Sequence, residues 1–342
     1  RSSRTIALSE NNFNFLNKLN ITNILKREIW ICSKMKLYTE VGKEKFSEIF
    51  ELNKENKNKN IFYMIENSKL IKLIMKRIEK IKTINLKKNK KVSSIYNSDS
   101  LQSVKFNNNI SKYNLVIVCT GHNSFLIKDE FNKKIIENSY KEFAITTILK
   151  HKTLNNNTAR QIFLDNAIFA FLPISKNKTS IVWSIKNSMK DRSNIFFKKK
   201  IKFYASKYLK DLSIISNIEK KDLSLVIRNK YYLKRTLLFG DALHVMHPFV
   251  GQSFNMTLRD LKCLKKILKE KINLGLDIGS SDVLSEFSQL TKPRNFSFSV
   301  GSDLLKNMVS LKAARNNIFK ILNQSSFLKD IFYNVANKGL KF

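Results

Sequence analysis

LLFGDALHVMHPFVGQSFNMTLRD, from Leu237 to Asp260, is the stretch of sequence that decides the fold. Its pattern predicts a buried strand that runs into Gly-Asp, then a loop containing proline and glycine, then an amphipathic helix. Apolar residues recur along that helix at three- and four-residue spacing: Leu258, Leu261, Leu264, Leu268 and Ile272. A carboxylate that follows a strand and faces a helix N-terminus is typical of ligand sites in open α/β sheets. The free N–H groups of the helix favour an anionic or electron-rich ligand.

The order Gly-Asp-Ala, His-Pro-x-x-Gly-Gln-x-x-Asn and Leu-Arg-Asp resembles the second flavin-binding motif of the class A flavoprotein monooxygenases. It is most similar to their branch of ubiquinone-ring hydroxylases. The resemblance implies that FAD is the cofactor and that Asp241, after Gly240, bonds its ribityl chain. It also implies that the loop around the isoalloxazine comprises Pro248, Gly251, Gln252, Ser253, Phe254 and Asn255. Ser253 stands where the family usually has glycine, and a positive φ there would strain a serine.

Other segments resemble the same family in the same order. Arg4–Ser9 resembles its Arg-x-x-Ala-Leu-Ser segment, Asn67–Leu70 its Asn-x-x-Leu helix start, and Tyr113–Ser124 its strand and Asp-Gly-x-x-Ser element. Residues 170–173 and 180–184 resemble the substrate-domain sheet. The resemblance implies cofactor contacts for Arg4 and Gly121, although Thr120 replaces the family's aspartate.

The family opens with a strand, a Gly-x-Gly-x-x-Gly turn and a helix, and no such pattern is present in this sequence. We therefore expect an N-terminally truncated family member that lacks roughly the first βαβ unit, about 30 residues or more. Those glycines allow the backbone to approach a pyrophosphate. The fragment is accordingly expected to fold poorly, to bind FAD weakly and to be inactive.

The expected fold class is α/β, with a Rossmann-like FAD-binding domain of the glutathione-reductase type and an inserted, mostly antiparallel substrate domain. We assign residues 1–26, 82–139 and 228–342 to the FAD-binding domain. Residues 27–81 and 140–227 are assigned to the substrate domain and its connecting helix. Apolar spacing predicts that helix over residues 68–81.

The net charge of +36 would by itself favour nucleic acid or an anionic membrane as a partner. The lysines are dispersed among asparagine and isoleucine, and there are only 8 glycines where average usage would give about 24. An excess of dispersed lysine, asparagine and isoleucine with few glycines is typical of AT-rich coding sequence. We therefore attribute the charge to composition and expect no specific nucleic-acid binding. Three scattered cysteines indicate neither a disulfide framework nor a zinc site and favour a reducing, cytoplasmic compartment.

His244 and His247 are three residues apart, but no third metal ligand is nearby in sequence. Metal sites need three or four ligands, so no metal is predicted and a loop role beside Pro248 is favoured. His247 is the one candidate catalytic side chain. The sequence leaves open whether it bonds flavin or substrate, or only satisfies the loop backbone.

The resemblance implies a monooxygenase that hydroxylates an aromatic ring, with a polyprenylated phenol of ubiquinone biosynthesis as the expected substrate. NAD(P)H or another electron donor would reduce FAD, and O2 would supply the transferred oxygen atom. No apolar run approaches the ~18 residues of a membrane span. Apolar and basic residues near the C-terminus, among them Phe327, Ile331 and Lys329, are compatible with peripheral contact with the inner membrane and equally with packing on the FAD-binding domain. A quinone-synthesis complex is a further expected partner.

Two alternatives remain open at this point. One is another flavin oxidoreductase of the same fold, such as a geranylgeranyl reductase-like or halogenase-like protein. The other is a non-catalytic basic scaffold of the quinone-synthesis complex, which Thr120 and Ser253 favour because both depart from the motif.

Overall fold

The computed structural model describes residues 3–21, 28–42, 45–54, 60–98, 100–107, 109–127, 131, 134–165, 167–247 and 251–339. These residues form two compact units. Unit 1 contains residues 1–80, 141–223 and 304–339, and unit 2 contains residues 81–140 and 224–303. Within the described residues, no helix combines the length and apolar character needed to cross a membrane.

The main sheet of unit 1 is mostly antiparallel. Its strands in spatial order are β15, β10, β13, β12, β11, β3 and β4, and β14 also pairs with β10. Their bounds are β3 Lys34–Gly42, β4 Lys45–Asn53, β10 Lys134–Lys150, β11 Thr158–Leu164, β12 Ala167–Ser175, β13 Lys178–Lys186, β14 Ser213–Ile214 and β15 Glu219–Arg228. Only β11 and β3 pair in parallel, with Gln161 opposite Leu37. The predicted antiparallel sheet is therefore present, with one parallel pair inside it.

Helix α3 (Asn194–Ser206) covers one face of this sheet and was not predicted, because its lysine-rich sequence weakens the apolar pattern. Phe197, Ile201 and Ala205 are fully buried and contribute to an apolar core with the strands. Trp183 is central to that core, with ring centroids 6.0 Å from Phe197. Burying such aromatic side chains contributes roughly 2–3 kcal/mol each.

A second sheet of unit 1 has the order β1 (Thr5–Leu8), β5 (Phe62–Glu66) and β2 (Trp30–Cys32). Helix α1 spans Glu10–Lys18. Helix α2 spans Asn67–Glu79, starting one residue before the predicted helix and ending two before its predicted end. Trp30 donates from Nε1 to the carbonyl of Asn156 at 2.6 Å, which ties this sheet to the loop before β11.

The C-terminal helices of unit 1 are α6 (Lys312–Gln324) and α7 (Ser326–Lys338). Phe319 is buried, and its ring lies 5.6 Å from Phe50 and 6.1 Å from Phe163. The buried Arg315 donates to Thr39 Oγ1 at 2.6 Å, and Lys54 pairs with Asp330. These contacts hold both helices against unit 1.

Unit 2 contains two small sheets. In the first, β17 (Thr236–Leu238) pairs in parallel with β9 (Val116–Val118) and antiparallel with β16 (Tyr232–Leu233). The second is an antiparallel meander of β6 (Val92–Ser98), β7 (Leu101–Phe106) and β8 (Asn109–Tyr113). β18 (His244–Val245) pairs with the end of β15.

Two helices complete unit 2: α4 (Ser253–Asn273) and α5 (Ser281–Ser310), the latter ending beyond the unit boundary. Leu237, Leu238, Leu264, Leu284 and Phe287 belong to one buried apolar cluster. The strand, turn and helix predicted from residues 237–272 are thus observed.

The unit boundaries at residues 81, 140 and 224 lie near the predicted domain boundaries at 82, 139 and 228. The described residues 3–21 and 304–339, which the sequence assigned to the FAD-binding domain, belong to unit 1. The reasons are that β1 pairs with β5 and that α6 packs on β4. The division into cofactor and substrate domains stays a prediction.

Candidate functional site

The Gly-Asp turn follows β17 directly. Gly240 has a φ of +61°, so a residue with a side chain would be strained there. Asp241 is exposed, and its carboxylate has no hydrogen-bond or ion-pair partner among the described residues. The turn therefore presents a free acceptor in the place where the sequence predicts a ribityl hydroxyl donor.

The start of α4 lies a short loop after this turn. Gly251 has a φ of +65°, and Gln252 is the N-cap residue but makes no side-chain cap bond. Asn255 is fully buried and donates from Nδ2 to the Gly251 carbonyl at 3.3 Å. Ser253 is the first helical residue and does not have a positive φ, so the expected strain is absent. Phe254 is partly buried in the same turn.

The Gln252 side chain supplies the test of whether a cofactor fits here. Its exposed fraction is 4%, and within the described residues neither its amide oxygen nor its amide nitrogen has a hydrogen-bond partner. An unsatisfied buried amide is costly, by about 1–3 kcal/mol per group. A polar ligand such as a flavin ring edge would satisfy it, so these residues fit FAD. Pro248, Phe249 and Val250 of the predicted loop lie outside the described residues.

A second turn lies at the end of β9. Gly121 has a φ of +84°, and an added Cβ would meet no atom within 4 Å, so the space beside it is open. Thr120 is exposed. β9 pairs in parallel with β17, so both turns follow the carboxyl ends of neighbouring strands, where α/β sheets bind their ligands.

Arg228, at the end of β15, was missed by the sequence analysis. Its guanidinium donates to the carbonyls of His122, Phe131 and Ala242, each at 2.8 Å. Two of these carbonyls belong to the two glycine turns. No local pattern marks Arg228, since a basic residue at a strand end in so basic a chain is unremarkable.

A buried polar cluster includes His244, which follows the Gly-Asp turn in sequence. His244 Nε2 is 2.9 Å from Asp260 Oδ2, and Asn295 donates to the same oxygen at 2.8 Å. The three side chains are at most 4% exposed. Arg259-Asp260 therefore does not form a surface pair. The cluster joins β18, α4 and α5.

His247 does not join that cluster. It is buried, and its ring packs edge-on against Tyr140 with centroids 5.1 Å apart. Among the described residues, no three His, Cys, Asp or Glu side chains are grouped so as to hold a metal ion.

Arg4 lies in unit 1, whereas the other described candidate residues lie in unit 2. Its side chain is about half exposed, and its Nε is 3.8 Å from Glu219 Oε2. The structure thus brings Gly121, Gly240 and Asp241 into one unit with Gly251, Gln252, Ser253, Phe254, Asn255 and His247.

Comparison with known proteins defines the family. The family model described as squalene epoxidase matches residues 112–331, which include both glycine turns and α4. The chain belongs to the squalene epoxidase family. Members of this family are flavin-dependent monooxygenases, which confirms the predicted enzyme class.

Two relatives of this family member are ubiquinone enzymes by name. The mitochondrial ubiquinone biosynthesis monooxygenase COQ6 of Dictyostelium discoideum is 23% identical over 407 residues, covering 99% of this chain and 82% of the relative. Ubiquinone hydroxylase UbiL of Rhodospirillum rubrum is 26% identical over 259 residues, covering 72% of this chain and 59% of UbiL.

A solved structure shows the fold. Klebsiella pneumoniae HpxO complexed with FAD and uric acid superimposes with a TM-score of 0.76 at 10% identity, covering 99% of this chain and 88% of HpxO. The predicted fold class is confirmed.

Proposed function

We propose that this squalene epoxidase family member binds FAD and hydroxylates the ring of a polyprenylated phenol in ubiquinone biosynthesis. The main support for the proposal is Asp241, which lies in a glycine turn after β17 and whose carboxylate has no partner among the described residues. The N-terminus of α4 is nearby in sequence. The names of COQ6 and UbiL support ubiquinone biosynthesis as the pathway.

FAD, once reduced by NAD(P)H or another donor, would supply activation of O2 and transfer of one oxygen atom to the ring. The protein residues would bind and orient it. Asp241 would accept hydrogen bonds from the ribityl hydroxyls, and the buried Gln252 amide would exchange hydrogen bonds with the flavin ring edge. The uncapped N-terminus of α4 would stabilise negative charge on the flavin, because its N–H groups are already oriented.

His247 has a positioning role in this proposal. Its ring is buried against Tyr140 immediately before the loop that contains Pro248. The contact would hold the end of the loop that begins at Pro248, and it would exclude water from the flavin ring. The described residues include no metal cluster, and the proposed chemistry uses none.

FAD titration of Asp241→Ala tests the cofactor assignment. Losing a charged acceptor that leaves its partner unpaired costs about 2 kcal/mol, or roughly thirtyfold in Kd. Asp282→Ala is the matched control, because Asp282 is an exposed acidic residue in the first turn of α5 of the same unit. Equal FAD affinity in wild type and Asp241→Ala would contradict the assignment.

The hydroxylation itself needs a second measurement. The flavin-loaded protein, supplied with NAD(P)H and a polyprenyl phenol, should form a product heavier by one oxygen atom, with ¹⁸O derived from ¹⁸O2. Oxidation of NAD(P)H without hydroxylated product would favour another flavin oxidoreductase. Absence of any flavin binding would favour the basic scaffold.

A further inference from the structure

Arg228 is unusual among the basic residues of this chain. Its exposed fraction is 2%, whereas most of the lysines lie at the surface. Its Nε donates to the Ala242 carbonyl, one terminal nitrogen to the Phe131 carbonyl and the other to the His122 carbonyl. All three acceptors are backbone atoms of unit 2.

The positions of two acceptors give these bonds their importance. His122 follows Gly121, and Ala242 follows Asp241. A single guanidinium therefore joins the turn of Gly121 to the turn of Gly240, and both of these glycines have a positive φ. Because C=O and N–H of a trans peptide point in opposite directions, holding the His122 carbonyl directs the Asn123 N–H away from Arg228.

Among the described residues, the contacts of Arg228 are with backbone carbonyls rather than with a carboxylate. Within the described residues no acidic side chain forms an ion pair with it, and burial lowers the pKa of its guanidinium while the more distant Glu137 raises it. Arginine stays protonated in proteins, so a positive charge remains buried beside the turns. An anionic ligand bound at the turns would offset the cost of burying that charge.

We propose that Arg228 is a positioning residue for dinucleotide binding, which sets the geometry of the Gly121 and Gly240–Ala242 turns and favours the anionic diphosphate of FAD. The proposal rests on the proposed function, because it takes FAD to be the ligand of these turns. Arg228 acts through the backbone, and no contact with substrate is required of it.

Arg228→Lys is the first test, since lysine keeps the charge but cannot span three carbonyls at fixed angles. We expect at least a tenfold weaker FAD affinity, and a larger loss in Arg228→Met, which also removes the charge. In the cofactor-free chain, amide hydrogen exchange in residues 120–127 and 240–243 should become faster in both variants. Arg235→Lys is the matched control, because Arg235 joins the Asn114 carbonyl to Asp277 in the same unit without touching either turn.

A second variant separates positioning from general loss of folding. Gly121→Ala strains the same turn without a change at Arg228, because the φ at this position is +84°. An added Cβ meets no atom within 4 Å, so the strain is confined to the backbone. If Arg228 acts through that turn, the two changes affect the same feature, so their combined effect on the FAD Kd should be less than the product of the single effects.

The outcomes are distinguishable. Wild-type FAD binding together with unchanged affinity and unchanged exchange in Arg228→Lys overturns this inference alone. Equal losses in Arg228→Lys and Arg235→Lys also overturn it, because the effect would then be non-specific. Absence of FAD binding by the wild-type chain overturns both this inference and the proposed function.

Discussion

The imidazole of His244 lies 2.9 Å from the carboxylate of Asp260, with both side chains buried in unit 2. Asp260 Oδ2 also accepts a hydrogen bond from Asn295. His244 is three residues after Asp241, so the pair connects the segment after the Gly-Asp turn to the middle of α4. The orientation of the turn relative to α4 therefore depends on a buried polar contact as well as on apolar packing.

Asp260→Ala should lower the free energy of unfolding by roughly 3 kcal/mol, because it leaves two buried donors without an acceptor. Denaturant unfolding followed by circular dichroism measures the change. Asp282→Ala, which removes an exposed carboxylate in the first turn of α5 of the same unit, should change the free energy by at most about 1 kcal/mol. Similar small effects for both variants would contradict the structural role of Asp260.

Cys32 should resist thiol reagents in the native chain. Burial raises the pKa of its thiol to about 12, although the Arg160 guanidinium acts in the opposite direction. The thiolate is the reactive form, so labelling at pH 8 should modify the exposed Cys119 first and leave Cys32 unmodified until unit 1 unfolds. Mass mapping of the labelled peptides provides the measurement, with Cys119→Ser as the control. Rapid native labelling of Cys32 would contradict its burial.

The Arg235–Asp277 pair should make stability depend on acid pH. The Arg235 guanidinium, and then the Gly279 amide, hold the pKa of Asp277 below 3.8. A carboxyl with a lowered folded-state pKa contributes stability above the unfolded pKa and loses it as pH falls through the folded one. Because the Asp277 side chain is 45% exposed and solvent screens the pair, the contribution is at most about 1 kcal/mol.

Asp277→Asn should accordingly unfold more easily than wild type near neutral pH, with a difference that shrinks as pH falls below 3.8. Melting temperatures across this range test the prediction, and 1 M salt should reduce the difference because surface pairs are screened. A constant difference down to the lowest pH would contradict it.

Apolar side chains remain exposed on α6 and α7: Ile321 by 59%, Phe327 by 71% and Ile331 by 44%. Phe319 cannot contact a membrane surface, because it is buried against the sheet. Lysines at positions 320, 329 and 338 accompany them, and each basic residue near an anionic surface adds about 1 kcal/mol. We therefore expect salt-sensitive binding to anionic liposomes and little binding to neutral ones.

A double variant tests which surface is responsible. Phe327→Ser with Ile331→Ser should weaken liposome binding, whereas Ile272→Ser with Leu274→Ser should not, although those two residues of unit 2 are similarly exposed. If the wild-type protein were recovered equally in the soluble fraction with anionic and with neutral liposomes at low salt, the proposed membrane contact would be contradicted.

Local sequence was enough to predict the strand, turn and helix around Gly240 and Asp241, because apolar periodicity and glycine placement act within a few residues. It also predicted α2 to within two residues at each end. A positive φ at Ser253 would have strained that residue, but the positive φ before the helix is at Gly251 and not at Ser253.

Contacts between residues far apart in sequence could not be predicted from the local sequence pattern. Arg228 bonds to residues 14, 97 and 106 positions away in sequence, so its role emerges only when the chain is folded. The same holds for the parallel pairing of β3 with β11 and for Asp260, whose partner Asn295 lies on another helix. Helix α3 was missed for a different reason, because its lysines interrupt the apolar stripe.

The aromatic core around Trp183 has a consequence for optical experiments. The chain has two tryptophans, Trp30 and Trp183, and both belong to unit 1. Trp183 is 5% exposed and lies 5.9 Å from Tyr204, close enough to receive excitation energy from tyrosine. Indole emission therefore reports the state of unit 1 alone. Unfolding of unit 2, which contains the two glycine turns and Arg228, would leave tryptophan fluorescence unchanged. It would have to be followed through tyrosine or flavin fluorescence.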